Sequence, residues 1–245
     1  MAGERDDVYP FPQTAEFEMA KRKFFSDFAL AHLSQFRIHQ SGGILGKENR
    51  DWRNISEHCL VEAVAADTIA AATGANREIL VAAALLHDWF KRREIERTCA
   101  TNPAQMGASL ADIEKADRVA LEKFGVAPVV IDLAHANILA AGDAEYLGSR
   151  TLEEKIMHWI DLSTQDTLVV DFRERVQAAE QKDAYRAWSE SLRPQYGGKS
   201  LSEIDIAVAA QEQAEIERLL NIPDGALVTW IRSQIENKIA NKLKK

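Results

Sequence analysis

The chain has 245 residues, a formal net charge of −8 and a hydrophobic content of 46%, as is ordinary for a globular protein. The acidic balance argues against a broad cationic face, so we expect no nucleic-acid partner. Two cysteines make no disulfide framework, and no uncharged apolar run approaches the roughly 18 residues that a membrane span needs. The acidic N-terminus does not resemble a signal peptide. We therefore predict a cytoplasmic protein without membrane association.

The N-terminal part of the chain predicts three long helices. The first runs from about Thr14 to Gln40 and ends at a glycine-rich loop. The second begins with Asn54 as its N-cap and ends at Gly74. The third follows Asn76 and carries the whole sequence REILVAAALLHDWFKRREIER. No alternation of apolar and polar residues typical of strands interrupts them.

The rest of the chain also predicts helices. They lie at 102–125, at 128–141, from Thr151 onward, at 201–221 and at 224–243. Thr151 and Glu154 have the spacing of a capping box, whereas 183–200 has an irregular sequence. The predicted fold is all-α, one bundle of about five core helices with helical extensions at both ends.

We divide the chain into three parts on this basis. Residues 1–49 form an N-terminal helix and loop that pack on the core, and residues 50–180 form the central domain. Residues 181–245 form a C-terminal helical extension within the same globule.

Two imidazoles and two carboxylates stand in apolar helical sequence. They are His58 in the second helix, His87 and Asp88 in the third, and Asp161 in the helix that Thr151 begins. Burying such groups is costly unless something pairs with them. Nitrogen and oxygen donors together suit a divalent ion such as Mn, Fe, Co, Ni or Zn. A bound ion also makes water acidic enough to attack an electrophilic centre near neutral pH. We therefore predict a metal site held by these four residues.

The order and spacing of these residues resemble the HD domain, an all-helical family of metal-dependent phosphohydrolases. The sequence LLHDWFK is similar to the paired His-Asp segment of that family, and the sequence around His58 resembles its first-histidine helix. EKIMHWIDLSTQ corresponds to the helix with the last aspartate. The resemblance covers about residues 50 to 175. It implies an HD-domain helical bundle and hydrolysis of a phosphomonoester or phosphodiester of a nucleotide or related small molecule.

Two departures from the family bear on the metal and the substrate. Relatives with two metals carry two further histidines; His135 matches the later one, but the region of the earlier one reads PAQM at 103–106. We therefore expect one ion: Mn, Fe, Co, Ni, Zn or Mg. Relatives that resemble 5′-deoxynucleotidases carry a glutamate where this chain has Lys91, which leaves the substrate open.

Further residues are assigned roles around the predicted metal. Asp88 is expected to orient the attacking water as well as to bind the ion. Lys91 lies three residues later on the same helical face and is expected to stabilise charge on the phosphoryl group. Arg50 and Arg53 precede the helix of His58, whose N-terminus attracts anions. Together with His135, they are predicted to bind the substrate.

Two alternatives to hydrolysis remain open at this stage. The scaffold can serve as a non-catalytic metal-binding, nucleotide-binding or protein-interaction module. A di-iron oxygenase would instead require a second metal near His135. A homo-oligomer is compatible with the sequence, which does not decide the oligomeric state.

Overall fold

The described part of the chain is predominantly helical. The computed structural model describes residues 14–42, 44, 53–93, 96, 106–135, 149–194 and 196–243. These residues form eleven helices and one two-stranded antiparallel sheet, which confirms the predicted all-α class. Within these ranges, no helix has both the length and the apolar character needed to cross a membrane.

The helices and strands follow in chain order. The first half holds α1 (Ala15–Ala31), α2 (Leu33–Ser41), α3 (Arg53–Thr73), α4 (Arg77–Leu86), α5 (Met106–Lys123) and α6 (Pro128–Ala134). The second half holds α7 (Leu152–Leu162), β1 (Thr164–Gln165), β2 (Leu168–Val169), α8 (Phe172–Glu180), α9 (Asp183–Ser191), α10 (Leu201–Leu220) and α11 (Leu227–Leu243).

Several helix ends follow local sequence signals. The Thr14 side chain accepts a hydrogen bond from the amide of the third residue of α1, and Asn76 does the same for α4. Thr151 and Glu154 form a complete capping box at the start of α7, which confirms that prediction. The two predicted C-terminal helices are also present, as α10 and α11.

Other boundaries differ from the predictions. The first predicted helix breaks at His32, whose ψ of 35° is not helical. Helix α3 already includes Arg53, so Asn54 lies inside the helix and not at its N-cap. The segment predicted to be irregular begins with a helix, α9, which packs on α10. The hairpin β1–β2 was not predicted, because strands of two residues are too short to give a periodic pattern.

Helix α4 ends earlier than predicted, immediately before His87. In a continuing helix, the Leu85 carbonyl would accept from the amide of Trp89. Here the imidazole of His39 donates to that carbonyl instead, and the Trp89 amide bonds Leu86 O at 3.3 Å. The chain therefore passes from α4 into tight turns at the two residues that are predicted to bind metal.

Helix α3 lies at the centre of the core. Every residue from Val61 to Ala70 is buried, so this part of the helix is covered on all sides. It packs against α4, α7, α10 and α11, and α4 also contacts α7. Because α3, α4 and α7 contact one another, polar side chains on the three helices can reach a common point.

Candidate metal centre

Three helices contribute the donor atoms of the candidate centre. His58 and Glu62 lie one turn apart on α3, so their side chains share one face. His87 follows the last residue of α4, and Asp161 lies in the last turn of α7. His58 and Asp161 are more than a hundred positions apart in the sequence, and the packing of α3, α4 and α7 brings all four groups together.

The donor atoms lie close enough together to hold a metal ion. Glu62 Oε1 is 2.9 Å from His58 Nε2, and Glu62 Oε2 is 3.0 Å from His87 Nε2. His87 Nε2 is also 3.8 Å from Asp161 Oδ1. One ligand atom from each of these four residues lies within 4.8 Å of all the others. Metal–ligand bonds of about 2.1 Å place opposite ligand atoms about 4.2 Å apart, so only a small contraction is needed.

Both imidazoles are oriented by backbone carbonyls. His58 Nδ1 lies 3.0 Å from Asp166 O, and His87 Nδ1 lies 2.9 Å from Ala84 O. A carbonyl oxygen can only accept, so each Nδ1 carries a proton. In a neutral imidazole the other nitrogen, Nε2, then carries a lone pair, and both Nε2 atoms face the Glu62 carboxylate.

When both rings are neutral, the buried end of the site around Glu62 therefore contains only hydrogen-bond acceptors. Glu62 Oε1, Glu62 Oε2 and His87 Nε2 are fully buried, and none of them has a hydrogen bond of acceptable geometry within the described residues. The short distances to the ring nitrogens are contacts without aligned N–H···O bonds. Buried polar atoms are normally satisfied, and a shared cation would satisfy all three of these at once.

Exposure increases from one end of the site to the other. Glu62 is completely buried and the His87 side chain is 3% exposed, whereas Asp161 is 28% exposed. Asp88 lies on the exposed side, with Oδ2 3.8 Å from His87 Nε2 and Oδ1 3.3 Å from Lys91 Nζ. The Lys91 side chain is 35% exposed. The centre thus has a closed end, formed by Glu62 and His87, and an open end, where the Asp88 carboxylate and the Lys91 ammonium group lie.

The charges at the site keep the carboxylates of Glu62 and Asp88 ionised. Burial alone raises the pKa of Glu62, but positive charge on His58 and His87 outweighs burial and lowers that pKa to about 2. Burial opposes protonation of His87, yet Glu62 and Asp88 raise the pKa of its imidazole well above the usual value. Burial likewise opposes ionisation of Asp88, whose pKa Lys91 and His87 hold far below its ordinary range. The site therefore attracts positive charge strongly, whether protons or a metal supply it.

The remaining predicted residues are not among the four donors, and some lie outside the described residues. Asp88 is adjacent to the group of four but not part of it. His135 ends α6, where Nδ1 is 2.8 Å from Ile131 O and Nε2 is 3.9 Å from Asp117 Oδ2. Arg53 opens α3, but the placement of its side chain is not described. Arg50 and the PAQM segment up to residue 105 lie outside the described residues.

Sequence reasoning missed Glu62. It stands in the apolar run LVEAVAA, four residues after His58, and a carboxylate in such a run was the signal used for Asp161. Helical spacing places residues i and i+4 on one face, so the pattern contained enough information to nominate it.

Comparisons with protein-family models, with curated proteins and with solved structures find no match for this chain. The resemblance to the HD-domain family therefore stays a prediction based on His58, His87, Asp88 and Asp161 and their spacing.

Proposed function

We propose that the chain binds one divalent metal ion and hydrolyses a phosphomonoester or phosphodiester of a nucleotide or related small molecule. His58, Glu62, His87 and Asp161 are the proposed ligands, and the Asp88 carboxylate completes the ligand set or accepts a hydrogen bond from water beside it. The reaction class comes from the resemblance of the motif to the HD domain together with the cation at the open end.

One observation carries the metal proposal. Both imidazoles present Nε2 to a fully buried carboxylate, while backbone carbonyls accept from both Nδ1 atoms. Three of the atoms that converge there have no hydrogen-bond partner of acceptable geometry within the described residues. The donors are two nitrogens and two or three carboxylate oxygens, which suits a borderline or moderately hard divalent ion.

The chain's own residues prepare the site for a phosphate ester. A bound divalent ion would supply Lewis acidity and an acidic water. Glu62 and His87 are buried at the closed end, so substrate would approach from the exposed side, where Asp161, Asp88 and Lys91 lie. The Lys91 ammonium group offsets the charge of phosphoryl oxygens there. Asp88 is too weak a base to retain a proton, so its role is to orient a water molecule by accepting a hydrogen bond.

Metal content and turnover measured on the same samples test this proposal. The protein is stripped with a chelator, reloaded with Mn²⁺, Co²⁺ or Zn²⁺, and assayed with p-nitrophenyl phosphate, bis(p-nitrophenyl) phosphate and a nucleotide panel. We expect about one ion per chain in the wild type. Glu62→Gln should lose both metal and turnover, whereas Asp88→Ala should lose turnover whether Asp88 binds the ion or orients its water. Asp183→Asn, which alters an exposed carboxylate far along the chain, should retain both.

The role of Lys91 has its own test with a matched control. Lys91→Met removes the cation at the open end and should raise KM for a phosphate ester about tenfold, which corresponds to about 1.4 kcal/mol. Arg92→Met removes the neighbouring cation, which pairs with Glu96, and should leave KM unchanged. Equal KM values for Lys91→Met and Arg92→Met would show that Lys91 does not bind the phosphate.

A second candidate function follows from the charge balance. Two protonated imidazoles and Lys91 would balance Glu62, Asp88 and Asp161 without any metal, and the site would then belong to a non-catalytic binding module. Nitrogen-15 NMR of the two histidines separates the candidates, because protonated and metal-bound Nε2 atoms resonate differently. Absence of metal uptake together with imidazolium signals in a folded sample would favour the binding module.

A further inference from the structure

The hairpin β1–β2 reaches from the end of α7 to the candidate metal centre. Its two-residue turn is Asp166–Thr167, between the paired residues Gln165 and Leu168. Asp166 has a φ of 54°, a left-handed conformation that glycine adopts most readily and that aspartate tolerates better than most other residues. In this conformation its carbonyl lies 3.0 Å from Nδ1 of His58. The turn thus supplies the acceptor that sets the orientation of one proposed ligand.

Two arginines hold the hairpin, one on each strand. Arg175 of α8 donates through Nε to Thr164 O at 3.0 Å. Arg232 of α11 donates to Val169 O through both Nε, at 2.9 Å, and Nη2. The two guanidinium groups bond backbone atoms, so they fix the position of the strands whatever side chains the strands carry. Bonds between a charged donor and a carbonyl are stronger than neutral ones.

Helix α11 also contacts α3 directly. Lys238 Nζ lies 3.0 Å from Asp67 Oδ2 and 2.9 Å from Thr68 Oγ1. Asp67 and Thr68 lie on the same helix as His58, and Arg232 bonds the hairpin that orients His58. One helix of the C-terminal extension therefore locates both the helix that carries this ligand and the carbonyl that orients it.

We infer that the β1–β2 hairpin positions His58 for the metal centre, and that Arg232 links the C-terminal helix α11 to that centre through the hairpin. This inference rests on the proposed metal site. With Asp166 O accepting from Nδ1–H, the Nε2 lone pair of His58 is fixed toward Glu62 and Asp161. Without that acceptor the ring can rotate or change tautomer, and metal binding is then weaker because the ring must first be ordered. Arg232 and the backbone of Asp166 are positioning groups that act through His58.

A pair of substitutions at position 166 tests whether the direction of the Asp166 carbonyl affects metal binding. Proline fixes φ near −65° and cannot adopt the observed conformation, whereas glycine adopts it readily. Asp166→Pro should weaken metal binding about 10- to 100-fold, and Asp166→Gly should bind like the wild type. Both variants lose the Asp166 carboxylate, so its loss cannot explain a difference between them. Equal metal affinities for the two folded variants would overturn the inference.

Substitutions at Arg232 provide a second test in case the proline variant does not fold. Arg232→Lys keeps a cationic donor for Val169 O, while Arg232→Met removes the donor and keeps most of the packing volume. We expect Arg232→Met to weaken metal binding about tenfold and Arg232→Lys to recover most of that loss. A lysine variant as weak as the methionine variant would mean that the hydrogen bond to the hairpin does not act on the metal centre.

Measurements on metal-free protein separate failure of this inference from failure of the proposed function. The His58 Nδ1–H proton should exchange slowly with water in the wild type and in Asp166→Gly, and rapidly in Asp166→Pro. If the wild type shows that pattern but takes up no metal, the proposed function fails while the positioning of His58 stands. If the proton exchanges rapidly in the wild type, the inference fails even where metal binds.

Discussion

Glu62 and Glu212 are both buried glutamates that face histidine nitrogens, yet their surroundings differ. Glu212 lies 2.7 Å from Arg150 Nη1 and 2.6 Å from His158 Nδ1, and both nitrogens donate to it. Glu62 lies 2.9 and 3.0 Å from two imidazole nitrogens but receives no aligned hydrogen bond from them within the described residues. The first group contains a permanent cation, and the second depends on protons or a metal for its positive charge.

This difference assigns different roles to two sites that share helix α7. His158 and Asp161 lie one turn apart on that helix, but His158 bonds Glu212 of α10 whereas Asp161 faces His87. A buried carboxylate paired with a guanidinium is complete within the protein. One surrounded by imidazoles has an affinity for added cations, because deprotonated rings leave it unpaired. The Arg150–Glu212–His158 group is therefore structural, and the group around Glu62 is the proposed binding site.

Removing the permanent cation should have the largest effect on stability. Arg150→Met leaves Glu212 buried without its charge partner and should lower the free energy of unfolding by about 3 to 5 kcal/mol, measured by urea denaturation. The double variant Arg150→Met/Glu212→Gln should be more stable than the single one, because the unpaired charge is gone. Metal stoichiometry should not change in either. Loss of metal in a folded Arg150→Met sample would contradict the separation of the two groups.

His39 is another buried imidazole, which bonds a hydroxyl and a carbonyl in place of a carboxylate. Burial lowers its pKa from 6.5 to about 4, and the Leu85 carbonyl only partly opposes that effect. As the pH falls, the His39 imidazole is therefore protonated at a higher pH in the unfolded chain than in the folded protein. The free energy of unfolding should decrease from pH 6.5 downward, by about 3 kcal/mol at pH 4. Denaturation of wild type and His39→Gln over this range measures the contribution, which the variant should lack.

Metal should stabilise the protein only through the Glu62 group. At a free metal concentration about one hundred times Kd, the free energy of unfolding should rise by about 2.7 kcal/mol. Glu62→Gln should abolish this gain, and Asp183→Asn should retain it. Metal binding should also release protons, since the raised pKa values of His58 and His87 leave both rings partly protonated beforehand. A gain in Glu62→Gln equal to that of the wild type would place the ion elsewhere.

The smallest effect is expected at the start of α7, which serves both groups. Thr151→Ala removes the side-chain acceptor of the capping box and should cost about 1 kcal/mol in a thermal or urea unfolding experiment. Thr151→Ser keeps that acceptor and should be nearly neutral. Metal affinity should be the same in both, because neither substitution touches a donor atom. A change in metal affinity confined to the alanine variant would mean that the N-cap of α7 helps to position Asp161.

Local sequence signals were sufficient for much of the helical structure. The capping box at Thr151, the start of a helix after Asn76, and α10 and α11 all depend on residues close together in the chain, and the structure confirms them. The signals failed where a distant side chain intervened. The end of α4 depends on His39, which is 46 residues from the carbonyl that it bonds, and no local pattern contains that information.

The sequence by itself determined that histidine and carboxylate side chains stand on apolar helices, because periodicity and composition record which face of a helix is buried. It nominated His58, His87 and Asp161, and the fold brings these three together. Only the tertiary structure added Glu62 between the imidazoles, paired Asp88 with Lys91, and placed the Asp166 carbonyl against His58. These contacts depend on the relative positions of helices and on backbone atoms. Because every residue carries the same carbonyl group, the sequence does not show which one will face a given side chain.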